Sequence, residues 1–445
     1  RIRRLRPVHR MVIAGLVLVA GTVLTVHYFP FPSTQHPIPS TSEALPLPDK
    51  PSLAVLPFVN MSGDPEQEYF SDGLTEDLTS DLSRISSLFV ISRNSAFTYK
   101  GKAVKLPEVS RELGVRYVVE GSVRKVGDQV RITAQLVDAT KDQHLWSERY
   151  DRPLAEIFTL QDEIRQKIVF ALRVKLTPEE QERFQRAPTN NLEAYDYYLR
   201  GLDALLRGWN EMKKELLAQA RQMFEKAIEL DPQYAGAYAR LSWTYLLDWF
   251  YGWNRDRAQT VERAFELAQR AVALDDSLSL PHQVLGRVSV WRKQHEQAIT
   301  EGERAITLDP NEAEGYVALG TTLVFAGRTE EGVGLVEKAM RLNPHYPPNY
   351  LNLLGFAYRT AGRYEEAIGP LKKALALSPN LLPAHLNLAA CYAELGRLEE
   401  AQAEVAAAQK LNPRLSLEAA RQNSPYKNPA DLERFLDGLR KAGLK

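Results

Sequence analysis

The chain has 445 residues, 44% of them apolar and 25% charged, with 56 basic residues against 56 acidic ones. That length allows two or three domains. The zero net charge excludes a global basic field that would draw nucleic acid and an acidic field that would draw cations. A single cysteine, Cys391, excludes an intrachain disulfide, and a small buried thiol inside a helix is its expected role.

Met11 to Phe29 holds no charged residue. At ~1.5 Å per residue this stretch spans about 28 Å, close to the ~30 Å hydrocarbon core of a bilayer. Arg1, Arg3, Arg4, Arg6 and Arg10 precede it within residues 1–10, whereas Pro30 to Pro51 holds one basic residue, Lys50. This asymmetry predicts a cytoplasmic N-terminus and the remainder on the other side. A cleaved signal peptide would show a shorter apolar core and a small-x-small site. The segment ends Val26-His27-Tyr28-Phe29-Pro30 instead, which favours an uncleaved transmembrane helix over 11–29. Seven prolines in 30–51 predict an extended spacer.

Residues 52–176 read as a small mixed α/β domain. Leu53-Ala54-Val55-Leu56 and Leu88-Phe89-Val90-Ile91 are short apolar runs suited to buried strands. Between them Phe70, Leu74, Leu78, Leu82 and Ile85 mark one face of a helix, and Val109 and Leu113 mark a short second one. Tyr117–Lys125 and Val130–Asp138 flank Gly127-Asp128 as a hairpin, with Val130, Ile132, Ala134 and Leu136 alternating on one face. His144–Tyr150 adds a strand, and Leu160, Ile164, Ile168 and Leu172 make a closing helix.

Residues 191–413 are organised by a repeat. Pro310, Pro344, Pro379 and Pro413 are spaced by 34, 35 and 34 residues. Leu285-Gly286, Leu319-Gly320, Leu354-Gly355 and Leu388-Ala389 recur with them, as do turns at Gly327, Gly362 and Gly396. Glycine in the turn supplies a left-handed residue, and proline stops the second helix. The pattern resembles the tetratricopeptide (TPR) family, two antiparallel helices per repeat. Six repeats are counted, the first two lengthened by seven and ten residues. Residues 414–445 end in an amphipathic helix through Leu432, Phe435, Leu436 and Leu439, the cap such a solenoid needs. The fold class is therefore α+β: a transmembrane helix, a small mixed domain, then an all-α solenoid.

No catalytic, metal-binding or cofactor-binding residue is expected. Asp64, Glu66, Glu68, Asp72, Glu76, Asp77 and Asp81 form an acidic cluster, but a calcium loop begun at Asp64 would place Tyr69 where glycine is needed and Thr75 where glutamate is needed. A helix start with a solvated acidic face is the reading preferred. The eight histidines do not pair at ligand spacing, and His282 and His385 occupy large-residue packing positions of first helices.

Binding is the expected work of the array. Outward positions of the first helices predict a concave groove lined by Gln283, Arg287, Thr321, Val324, Asn349, Asn352, Phe356 and Arg359. The Lys and Asn pattern with which chaperone-binding TPRs grip a terminal carboxylate is absent. A second candidate surface is the aromatic insert Trp243, Tyr245, Trp249, Phe250, Tyr251 and Trp253, because aromatic residues are enriched at interaction hot spots. The competing account of the insert is packing at the tips of longer helices or docking on the α/β domain.

Leu56–Gly73, Gly114–Ser122 and Leu145–Tyr150 resemble the TolB amino-terminal-like domain. In bacteria that domain stands between a membrane helix and TPRs in proteins with either a class III adenylate/guanylate cyclase domain or a winged-helix DNA-binding domain ahead of the helix. The resemblance implies a single-pass inner-membrane protein with its bulk in the periplasm, forming the sensory part of a cyclase-type signalling protein. The alternatives are the outer part of a winged-helix regulator and a free-standing envelope scaffold. Neither effector domain lies within these residues, so catalysis and nucleic-acid binding by this chain are not expected. The expected partners are a protein or peptide in the groove and the membrane through 11–29, with a homodimer left open.

Overall fold

The computed structural model describes residues 44–445 apart from Gln185, Met212, Gly252, Arg255 and Asn423. The expected basic flank, transmembrane helix and most of the proline-rich spacer lie outside the described residues. Among those described, no helix is long and apolar enough to cross a membrane.

The apolar run at Leu53 becomes β1 (Ser52–Val55), which pairs in parallel with β3 (Phe89–Val90) and β4 (Tyr117–Val126) and is buried on both faces by the apolar groups packed on either side of the sheet. The two-residue β2 (Val59–Asn60) continues along β4 beyond β1. A turn with Gly127 at φ +56° joins β4 to β5 (Gln129–Asp138), and β6 (Gln143–Pro153) closes the order β3-β1-β4-β5-β6. The alternating Val130, Ile132, Ala134 and Leu136 of β5 face the core side by side with α1 (Glu68–Ser83) and, farther along the chain, a helix over Ile157–Ala171. On the opposite face lie Tyr99, Val109, Leu113 and Val115, from the short α2 (Arg93–Phe97), α3 (Leu106–Leu113) and their flanks. The Ile157–Ala171 helix is α4, and the short α5 (Pro178–Phe184) follows it.

Six antiparallel helix pairs come next among the described residues. They are α6 (Leu192–Glu211) with α7 (Lys214–Leu230), α8 (Ala235–Tyr251) with α9 (Arg257–Leu274), α10 (Ser279–Trp291) with α11 (His295–Leu308), α12 (Ala313–Phe325) with α13 (Thr329–Leu342), α14 (Pro348–Thr360) with α15 (Tyr364–Leu377), and α16 (Leu382–Glu394) with α17 (Leu398–Leu411). The first four helices run 17 to 20 residues, against 13 or 14 in the last eight, so the extra residues lengthen helices rather than loops. The turns within the last three pairs hold Gly327, Gly362 and Gly396 at φ +87°, +78° and +74°. In the third pair Lys293 takes that left-handed place at φ +59°. Close crossings depend on the small residues: a Cβ on Gly355 would stand 2.4 Å from Leu371 Cγ.

One apolar core runs unbroken from Leu53 of the sheet through α1 and α4 into the first three helix pairs. A second joins the fourth to sixth pairs with Tyr426, Phe435, Leu439 and Leu444 of the C-terminal segment. That segment contains α18 (Leu417–Gln422) and α19 (Pro429–Lys441), and α19 caps the array by laying Gly438 against Ala390.

Candidate functional site

The acidic residues of α1 are not a solvated face. The Tyr69 hydroxyl donates to Asp196 of α6, and Glu76 lies between Arg93 (2.8 Å) and Arg240 of α8 (3.5 Å). Asp77 accepts from the hydroxyl of Tyr195 and from Gln161 Nε2. Burial raises the Asp77 carboxyl to about 7. Farther along, Ser83 Oγ donates to Asp309 at 2.8 Å, Asn311 Nδ2 donates to the Ser83 carbonyl, and the Ser92 amide donates to the Leu342 carbonyl. Glu76 and Asp77 thus belong to the seam by which the α/β domain docks along the inter-repeat turns, whereas Asp72 and Asp81 pair with Lys100 and Arg165 of the same domain and Asp64 and Glu66 are exposed at a helix start. Charge alternation in the sequence carried no sign of this, because the matching Arg240, Asn311 and Leu342 lie far away in the chain.

The eight positions expected to line the groove do not form one open surface. Asn349 is exposed and Thr321 half-buried, its hydroxyl donating to the Val317 carbonyl at 2.7 Å. Gln283, Val324, Asn352, Phe356 and Arg359 are buried. The reason is geometric: adjacent first helices approach closely, so these positions face the next first helix. Arg287 pairs with Glu314 at 2.9 Å and caps the ring of Trp243. Asn387 Nδ2 donates to Asn352 Oδ1 at 3.2 Å, and Arg359 Nε donates to Asn387 Oδ1 at 2.9 Å. The result is a polar ladder between helices.

The aromatic insert serves largely as packing. Trp243 and Trp249 are buried, Tyr245 and Trp253 half-buried, and Phe250 is exposed; the side chain of Tyr251 lies outside the described residues. Trp209 meets Trp243 at 5.4 Å between centroids, which fills the gap between the two lengthened pairs. Trp249 does more, because it opens an aromatic line along the tips of the first helices. Its ring is 4.5 Å from Trp291, which is 5.9 Å from Phe325, which is 4.8 Å from Phe356.

The chain's own C-terminal segment lies at the end of this line. Tyr426 puts its ring 5.1 Å from Phe325 and 6.2 Å from Phe356, while the Arg359 guanidinium donates to its hydroxyl. The Lys427 amide donates to the Phe325 carbonyl at 2.9 Å, and Lys427 Nζ pairs with Glu296 at 2.5 Å. Sequence reading missed this strap because Tyr426 is a lone aromatic outside any periodic stretch.

The histidines at the packing positions behave alike. His282 bonds Glu301 and the Asp276 carbonyl, and His385 bonds Glu404 and the Pro379 carbonyl. Each clamps its first helix to its second. Cys391 is buried, and burial pushes its thiol up to about 12.

Family models of the tetratricopeptide repeat match residues 205–234, 317–381 and 358–422. Residues 49–167 match the model of the HilA/YgeH-like transcriptional regulator, second domain. A protein of Rhizobium meliloti (strain 1021) named "Putative adenylate cyclase 3" is 48% identical over 252 residues, 57% of this chain and 42% of that protein. The match therefore spans less than half of the relative's length. Among solved structures, the TPR protein YrrB, described with an unusual peptide-binding site, is 22% identical over 43% of this chain and 93% of its own, with a TM-score of 0.31. The Cut9–Hcn1 hetero-tetramer of APC/C is 17% identical over 65% of this chain and 54% of that one, with a TM-score of 0.43. The repeat spacing, the helix pairs and the family models agree, and the array of this chain is one of tetratricopeptide repeats.

Proposed function

We propose that this chain is the non-catalytic protein-interaction part of a membrane-anchored signalling protein of the adenylate/guanylate cyclase type. The observation that carries the reading is the 48% identity to the protein named as an adenylate cyclase, spanning 57% of this chain. The tetratricopeptide array supports a protein or peptide as the partner. The apolar stretch 11–29 behind its arginines supports a single-pass inner-membrane anchor with the N-terminus in the cytoplasm and the bulk in the periplasm. Catalysis then belongs to a cyclase domain upstream of Arg1, and the docked α/β domain and array act as its sensory part.

A second reading has its own support. The match of residues 49–167 to the second domain of HilA/YgeH-like regulators favours the outer part of a transcription regulator with a DNA-binding domain upstream. Sequencing the DNA upstream of the Arg1 codon separates the two. A frame encoding a cyclase domain supports the first, and a winged-helix domain replaces it with the second. Alkaline phosphatase fused after Lys445 is expected to be active, since it folds only outside the cytoplasm. An inactive fusion reverses the orientation.

A further inference from the structure

The strap from Ser424 to Asn428 is held as a peptide ligand is held. Its backbone bonds the end of a helix through one main-chain contact, Lys427 N–H to the Phe325 carbonyl. One aromatic side chain fills a seat and one basic side chain answers an exposed acid, Glu296. The seat itself is built from the array. Phe325 and Phe356 form its walls, and Arg359, 3% exposed, lies at its base. Its guanidinium also lies 4.4 Å from the ring of Phe435 in the cap.

The strap is less firmly fixed than the cap it leads into. The preceding α18 has no fully buried residue: Leu417 and Ala420 pack half-buried on the second core, the Leu417 amide donates to the Lys445 carbonyl, and Arg421 pairs with the exposed Glu433. In α19, by contrast, Leu436 and Leu439 are fully buried. Local opening starts where few apolar groups are buried; in the strap these are Pro425 and Tyr426 alone, so the strap can lift while α19 stays seated. The aromatic line continues from the seat along Trp291 to the exposed Phe250, so a longer peptide would find further contacts there.

Resting on the interaction-module reading above, we infer that the Tyr426 seat is the partner-binding site of the array, occupied in cis by the strap. The partner is an extended peptide carrying a tyrosine followed by a basic residue. The tyrosine hydroxyl accepts from Arg359 and the base pairs with Glu296. Tethering gives the strap an effective concentration in the millimolar range, so free partner competes with it and binds more tightly once the strap is weakened.

The test uses the full 445-residue chain and a fluorescein-labelled peptide of residues 421–430, read by anisotropy. The doubly substituted chain, Tyr426→Ala with Lys427→Ala, is expected to bind the peptide at least tenfold more tightly than the unaltered chain. Replacing the peptide's tyrosine by alanine should abolish binding, and by phenylalanine should weaken it several-fold, because the Arg359 guanidinium loses the hydroxyl that accepts from it. Glu296→Lys in the opened chain should weaken it again. Because Tyr426 belongs to the second core, Lys427→Glu provides a second opening: the site is exposed, so the fold is kept, and repulsion from Glu296 should also raise peptide affinity. No binding up to millimolar peptide in either opened chain, with helical circular dichroism retained, overturns the proposal. So does binding indifferent to Glu296→Lys. A dimer that free peptide dissolves into monomers would make the occupant the strap of a second copy and equally overturn it. Any of these failures leaves the interaction-module reading to the upstream frame, which is determined independently.

Discussion

Lys293 holds the left-handed place that Gly327, Gly362 and Gly396 hold in the later repeats. A side chain in that conformation costs roughly 1–2 kcal/mol. Lys293→Gly is therefore expected to stabilise the chain by about 1 kcal/mol, and an unchanged or lowered urea midpoint would refute this. Glycines within helices divide by what surrounds them. A Cβ at Gly355 would strike the fully buried Leu371, whereas nothing beyond its own helix backbone and chain neighbours stands within 4 Å of the Cβ position at Gly334. Gly355→Ala should cost about 1–3 kcal/mol by overpacking. Gly334→Ala should gain roughly 0.5–1 kcal/mol through helix propensity. Equal shifts at both sites would argue against this packing. Cys391, with its thiol raised by burial, should resist alkylation at pH 8 until the chain unfolds; rapid labelling of native protein would contradict its burial.

At the scale of elements, α1 has a double role. Its apolar residues cover the sheet, as their spacing implies, and its Glu76 and Asp77 meet the array. Asp77 is enclosed by Tyr195, Gln161, Asp81 and Glu76, with Arg165 on Asp81. Burial raises the Asp77 carboxyl to about 7, and burial together with repulsion from Asp309 raises Glu312. An acid whose folded pKa is raised binds more protons folded than unfolded. Its contribution to stability is greatest below the unfolded value near 4 and is lost as pH rises through the folded value. Thermal stability should therefore fall between about pH 4 and 7 through this group, and Asp77→Asn should flatten that fall. A variant with the same slope as the parent chain would place the titration elsewhere.

Across the whole molecule, the core that runs from β1 to the third helix pair makes the α/β domain and the array a single folding unit. Glu76 is the electrostatic pin of that seam, with two guanidinium groups on it and its side chain about one-fifth exposed. Glu76→Gln leaves Arg93 and Arg240 facing one another. The expected cost is about 2–3 kcal/mol, below that of a fully buried pair because solvent still reaches the site. Unfolding followed by calorimetry should then split or shift down, and limited proteolysis should cut between α4 and α6. An unaltered single transition would show that the seam is held by apolar contacts alone.

The repeat period, the glycine turns, the lengthening of the first two repeats and the alternation of β5 were legible in the chain because each follows from local geometry. A helix must be stopped by a residue that can stop it, and a half-buried strand must alternate. The matches to tetratricopeptide models rest on that same local pattern. What the candidate surfaces do was decided by contacts remote in sequence. Asn352 and Arg359 occupy the positions a groove wall would use, yet the approach of Asn387 and Tyr426 turns them inward. The acids of α1 read as solvated until Tyr195 and Arg240 close over them. Periodicity tells which face of a helix is apolar, but it carries no information about which distant segment covers a polar face. That depends on how the sheet domain, the superhelix and the returning C-terminal segment meet in space.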